Sequence, residues 1–284
     1  MKKMILCGAL AFGIAASTGS AQSVNELLGI TIPAAQEPPT PADTGHASAE
    51  EAPFYVAWTV NPVIAGTINT KPNDQNNTGG ISLGGGKISF DLGVGTDITF
   101  GWRIPDTYFF LQVSGGFTWN SVKDFQAPAP LTNLPVDGEL FDGSGNMYQI
   151  PILFTPGFEF ELPGGWPFMS GGLIRFGPTV GAVYQNLKVT GIQQEIKGAL
   201  VPNFSWEFQG KNWLFAYGAM LDLEFFLDHN ISLVLGYQFM GTTGADYGNL
   251  TGTPTAGGQQ LIADKVETNF TYTSIVKCGL SFYF

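Results

Sequence analysis

The placement of charge along an alternating chain limits this protein more than any other feature. From 88 to 104 the even positions read Ile88, Phe90, Leu92, Val94, Thr96, Ile98, Phe100, Trp102 and Ile104. The odd positions read Ser89, Asp91, Gly93, Gly95, Asp97, Thr99, Gly101 and Arg103. A strand sends successive side chains to opposite faces, so one face is apolar and the other small or polar. A helix would scatter this pattern around its surface. The same alternation recurs at 54–66, 108–120, 149–162, 173–185, 213–227, 231–240 and 271–284, weakening near Pro62 in the first. Eight strands are expected.

Alternation alone fits a soluble β-sandwich as well as a membrane barrel. Three further features favour the barrel. The charges of these segments, Asp91, Asp97, Arg103, Glu159, Glu161, Arg175, Asp222, Glu224 and Lys277, all fall on the polar parity. A lipid-facing Arg or Lys at the bilayer midplane costs about 2–4 kcal/mol, which explains the exclusion. The polar parity is also rich in Gly, Ser and Thr, as the narrow interior of an eight-stranded barrel requires. Connections alternate as well: Ile104–Thr107, Pro163–Ser170 and Asp228–Asn230 are short, whereas 67–85, 121–146, 189–211 and 241–266 are long. The expected fold is therefore all-β, an eight-stranded antiparallel transmembrane β-barrel with short periplasmic turns and four long extracellular loops. Trp102, Phe109 and Phe284 are placed in a periplasmic aromatic girdle, and Trp119, Tyr184 and Trp213 in an outer one.

The N-terminus reads as a secretory signal over 1–21: Lys2 and Lys3, an apolar run from Ile5 to Ala16, then the small residues Gly19, Ser20 and Ala21. The run is too short for a spanning helix. Residues 22–52 read as a Pro/Ala-rich periplasmic leader and 53–284 as the barrel. The net charge of −11 falls to −13 when Lys2 and Lys3 leave, which speaks against nucleic acid as a partner. Cys7 leaves with the signal, so Cys278 has no intrachain partner.

The chain ends Lys277-Cys278-Gly279-Leu280-Ser281-Phe282-Tyr283-Phe284. Lys277, Gly279, Phe282 and Phe284 fill the polar, glycine, aromatic and terminal aromatic places of the C-terminal assembly signal of bacterial outer-membrane barrels. Together with 149–162, 175–184 and 216–237, the stretch 81–284 resembles the opacity-protein and outer-membrane-protein-A-like small barrels. The resemblance implies the bacterial outer membrane, insertion by the barrel-assembly machinery, outer-membrane lipids as surroundings and surface-exposed loops. A monomer is expected, with an extracellular ligand held by the loops.

Arg103, Glu159, Glu161, Arg175, Asp222 and Glu224 are expected as a lumen charge network in the periplasmic half, with Lys277 nearer the middle. Buried charges must be paired, so a mutually neutralised plug is the favoured reading and a narrow ion path the alternative. Glu159/Glu161 and Asp222/Glu224 sit two apart on one face, the spacing of an acid/base pair, yet an eight-stranded lumen offers no substrate cavity. His46 lies in the leader and His229 in a periplasmic turn, out of reach of an outer-leaflet Ser–His site. No catalytic residue, metal or cofactor is expected. The acidic stretch Asp137–Asn146 lacks the spacing of a calcium loop. The expected role is structural or surface-interacting (adhesion or ligand binding through loops), with a narrow porin-like channel as alternative.

Overall fold

The computed structural model describes residues 52–72, 85–128, 138–162, 171–202, 204–228, 230–254 and 260–284. The expected signal, the expected leader up to Glu51, His46, His229 and Asp137 lie outside these residues. Fourteen strands follow one another: β1 (Phe54–Ala65), β2 (Ile68–Asn69), β3 (Lys87–Phe90), β4 (Gly93–Arg103), β5 (Phe109–Pro128), β6 (Gly138–Phe141) and β7 (Ser144–Leu162). They continue as β8 (Gly172–Ile196), β9 (Ala199–Leu200), β10 (Phe204–Asp228), β11 (Ile231–Thr242), β12 (Asp246–Pro254), β13 (Leu261–Glu267) and β14 (Thr271–Tyr283). Helix is absent among the described residues.

Eight of these strands close a ring by antiparallel pairing, in the order β1–β4–β5–β7–β8–β10–β11–β14 and back to β1. Closure pairs Thr59 with Gly279, and the last residue donates its amide to Phe54 O at 3.0 Å. With no free edge, every strand finds its hydrogen bonds inside the protein, which a hydrocarbon environment demands. The outward face is apolar all round: Trp58, Ile98, Val113, Ile152, Val180, Leu221 and Val276 are exposed. The inward face carries Thr59, Thr99, Gln112, Thr155, Thr179, Gln238 and Thr273, all buried. β1 runs on past Pro62, and Ile64 is 53% exposed on the same outward face. The alternation therefore persists where the sequence weakens.

At the long-connection end the barrel does not stop. β2, β3, β6, β12 and β13, with the upper parts of β5, β8 and β10, form a second ring. It closes where Thr70 bridges Thr268 and Lys71 N donates to Glu267 O at 2.8 Å. Its polarity is the reverse of the first ring. Ile68, Ile88, Phe125, Leu140, Val189, Ile192, Trp206, Phe208, Tyr247 and Val266 are buried in one apolar core. Lys87, Lys123, Lys188, Glu207, Lys211, Asp246 and Lys265 face outward. This is the pattern of a water-soluble barrel, with the hydrophobic effect driving apolar groups in. The change of parity marks the aqueous edge of the lipid-facing zone.

Three long connections are thereby corrected. Much of 121–146, 189–211 and 241–266, expected as loop, is strand: β5 extends to Pro128, β7 begins at Ser144, β8 extends to Ile196, β10 begins at Phe204, and β12 and β13 occupy most of the third. The acidic stretch near 137–146 contains β6, in register with β5 and β8. β8 turns into β9 through Lys197 (φ 51°) and Gly198 (φ 78°), the two left-handed residues of a tight hairpin. The apparently continuous strand 88–104 breaks at Asp91 and Leu92. The break slips the phase by one residue, so Ile88 points into the core whereas Val94 faces out at 61% exposure.

Candidate functional site

The interior charges gather at the end of the barrel that holds the short turns. Glu159 on β7 and Arg175 on β8 are direct cross-strand partners, and Arg175 is likewise opposite Asp222 on β10. Arg103 Nε donates to Glu159 Oε1 at 2.6 Å. Arg175 Nε donates to the other oxygen of Glu159, and Arg175 Nη1 donates to Glu224 Oε1. Arg175 is 1% exposed. Two carboxylates from neighbouring strands thus hold one buried guanidinium, the pairing a buried charge needs. Ser232 Oγ donates to Glu224 Oε2 at 2.7 Å, and Tyr283 OH donates to the same atom.

Aromatic residues cover this cluster. The Arg175 guanidinium lies 3.9 Å from the centroid of the Tyr55 ring, and Arg175 Nη2 donates to Tyr283 OH at 3.1 Å. Tyr55 OH donates to Gln112 Oε1 at 2.8 Å. Tyr55, Tyr283, Leu173, Phe226 and Ala52 pack as an apolar floor. Sequence reasoning passed over Tyr55, Tyr283 and Ser232, although their parity puts them on the inward face.

Asp222 and Lys277 stand deeper. Asp222 is opposite Gly236 on β11, and Gly236 is opposite Lys277 on β14. A β-carbon on Gly236 would run into Asp222 Oδ1, so glycine leaves the space that the carboxylate occupies. Lys277 is 2% exposed and coupled electrostatically to Asp222 and Asp97. Asp97 accepts from Thr59 Oγ1 at 2.8 Å and Asn61 Nδ2 at 2.6 Å. It joins the network although the sequence did not single it out. Glu161 stands apart: it is exposed on the wall of a cleft of about 490 Å³ at the barrel mouth, with Pro53, Asp106 and Tyr108.

Above the charges come Gln112, Thr155 and Thr179, then Leu153, Val183, Ala216 and Met240, then Gln149 and Gln185, and then the apolar core of the second ring. Buried side chains occupy the described lumen at each of these levels. On the outside, Phe117, Tyr148, Tyr184 and Trp213 contact one another in sequence across β5, β7, β8 and β10, with centroids 6.1, 6.2 and 5.5 Å apart. Phe109, Phe158, Phe176, Phe160 and Tyr108 stack at the other end. Two aromatic girdles bracket an apolar belt on a closed barrel, the exterior that an outer-membrane protein presents to lipid.

The chain is an outer-membrane β-barrel. Its short turns lie at one end of the lipid-facing belt and its second ring at the other. No protein-family model matches it, and no curated protein matches it in sequence. Solved structures of similar fold are outer-membrane proteins at low identity. The outer membrane protein OprG from Pseudomonas aeruginosa is 14% identical, with 84% of this chain and 97% of that one covered and a TM-score of 0.39. The outer membrane protease OmpT from Escherichia coli is 11% identical, covering 82% and 97%, with a TM-score of 0.39. The attachment invasion locus protein Ail of Yersinia pestis is 12% identical, covering 82% and 99%, with a TM-score of 0.32.

Proposed function

We propose that this protein is a sealed membrane anchor that presents a rigid β-barrel extension for surface interaction. The observation that carries this reading is the second ring. Four connections that would otherwise be mobile loops are tied into one closed sheet around an apolar core. Holding a surface rigid lowers the ordering cost of binding, which is the physical use of such a platform. The filled lumen supports an anchor over a solute path. Arg103, Glu159, Arg175, Glu224, Asp222 and Lys277 then serve to close and stiffen the barrel, with no part in transport or catalysis.

Cells displaying the protein test the reading. Replacing the β12–β13 hairpin, Asp246–Glu267, by a short Gly/Ser linker removes Tyr247, Leu250 and Val266 from the apolar core. The membrane ring stays whole, so the variant still shifts on heating in gels. Adhesion to immobilised matrix proteins and self-aggregation are expected to fall to the level of cells without the protein. Adhesion at the unaltered level would refute a role for the extension.

A further inference from the structure

We infer that the wall of the membrane ring parts most readily between β7 and β8, at a gap in the hydrogen-bond ladder that two threonine hydroxyls hold shut. The strands pair from Ser144 to Phe154 and again from Phe158 to Leu162, while residues 155–157 and 177–179 are left out of the ladder. The register is the same on both sides, Phe154 with Val180 and Phe158 with Phe176, so Pro156 falls opposite Pro178. Facing residues at a hydrogen-bonded position of an antiparallel ladder exchange two N–H···O bonds. Proline has no N–H, so this pair forms neither. The gap is centred on the two prolines, which identifies them as such a position.

The defect belongs to one seam. Pro156 stays paired with Leu111 on β5, and Pro178 with Ala219 on β10. Two other seams are interrupted at a proline, with Pro62 on β1 opposite Val276 on β14 and Pro151 on β7 opposite Gly116 on β5. Val276 and Gly116 keep their N–H, so one of the two bonds remains possible there. Among the described residues, no other facing pair in the ring consists of two prolines. Proline in a sheet is ordinarily confined to edges and bulges. This ring has no edge, and the register does not slip at Pro156 and Pro178.

On the lumen side Thr155 Oγ1 and Thr179 Oγ1 lie 2.9 Å apart, and both residues are buried. This hydroxyl pair spans the end of the gap nearer the second ring. Gly157 and Gly177 face the lumen at the other end and have no side chain to span it. Beyond the glycines the strands are clamped by the Glu159–Arg175 ion pair and by the Phe158 and Phe176 rings, 5.9 Å apart. A stretch with fewer hydrogen bonds opens at lower cost than the sheet around it. The slot is roughly 10 Å long, the length of residues 155–157 at about 3.3 Å each. Its opening bares the threonine hydroxyls to lipid and leaves the layers across the barrel axis in place.

Residue-resolved amide hydrogen exchange of the refolded full chain in lipid nanodiscs tests this. The reference is the β10–β11 seam, where Leu221 faces Tyr237 and Leu223 faces Leu235 in an uninterrupted ladder. The amides flanking the gap, those of Phe154, Phe158, Phe176 and Val180, should exchange on the order of thirtyfold faster than these four, each missing bond contributing about fivefold. T155V/T179V removes the hydroxyl pair and should speed the flanking amides by about a further fivefold. P156V/P178V returns both donors and should bring them down to the reference level. Heat-shifted gels show that both variants fold. Equal exchange at the two seams of the unaltered protein would overturn the weak seam. Unchanged exchange in T155V/T179V would overturn the threonine pair as what holds it.

Discussion

Arg175→Leu should leave little stable barrel. The substitution strips the buried Glu224 of its guanidinium and leaves it Ser232 and Tyr283 as hydrogen-bond donors. Glu159 keeps Arg103, so the main damage falls on Glu224. Breaking a buried pair by removing one partner costs about 3–5 kcal/mol. The urea midpoint of the protein refolded in lipid vesicles should drop accordingly. Adding Glu224→Gln should recover most of the loss, because an amide carries no charge to bury. Arg175→Lys should fall between, keeping the charge and losing the two-pronged geometry that reaches both Glu159 and Glu224. An Arg175→Leu variant within about 0.5 kcal/mol of the unaltered protein, the scale of ordinary surface substitutions, would show that the cluster contributes nothing to stability.

Gly279→Val should prevent closure. Gly279 lies on the seam between the first and last strands, opposite Thr59. A β-carbon there would run into the Trp58 carbonyl oxygen and come within 2.7 Å of Thr59 Cα. The obstacle is backbone on the partner strand, which cannot rotate aside. The cost should reach about 3 kcal/mol, the upper range for forcing atoms into a packed site. Gly115→Ala is the control, since a β-carbon on Gly115 meets nothing within 4 Å. The heat-modifiable band should vanish for Gly279→Val and persist for Gly115→Ala. The same result would give the terminal Lys277, Gly279, Phe282 and Phe284 pattern a steric component beside any role as an assembly signal.

The membrane ring was legible because lipid imposes a single rule on every strand: apolar out, charge in. Arg103, Glu159, Arg175, Asp222, Glu224 and Lys277 could be assigned to the lumen by parity alone. Tyr55 and Tyr283 share that parity, but an aromatic ring on a polar face carries no charge to draw notice, and only the fold brings them over Arg175. The second ring was illegible for a different reason. Outside the lipid the rule inverts, so Val189, Ile192, Trp206 and Phe208 alternate with Lys188, Gln193, Glu207 and Gln209 in the opposite sense. β10 crosses the boundary without a change of phase, so its apolar residues pass from the outward Phe215 and Trp213 to the inward Phe208 and Trp206. The break at Asp91–Leu92 instead slips the phase and keeps the even positions apolar on both sides. A reading that demands one unbroken parity then sees a loop.

Single-channel recording of the refolded protein in a planar bilayer is the most direct test of a sealed lumen. If, as proposed, the buried layers from Tyr55 and Arg175 up to Trp206 and Phe208 seal the lumen, a folded, heat-modifiable barrel should be electrically silent. Steady, charge-selective openings that change on neutralising Lys277 would contradict the account, and would make the lumen charges the lining of a channel.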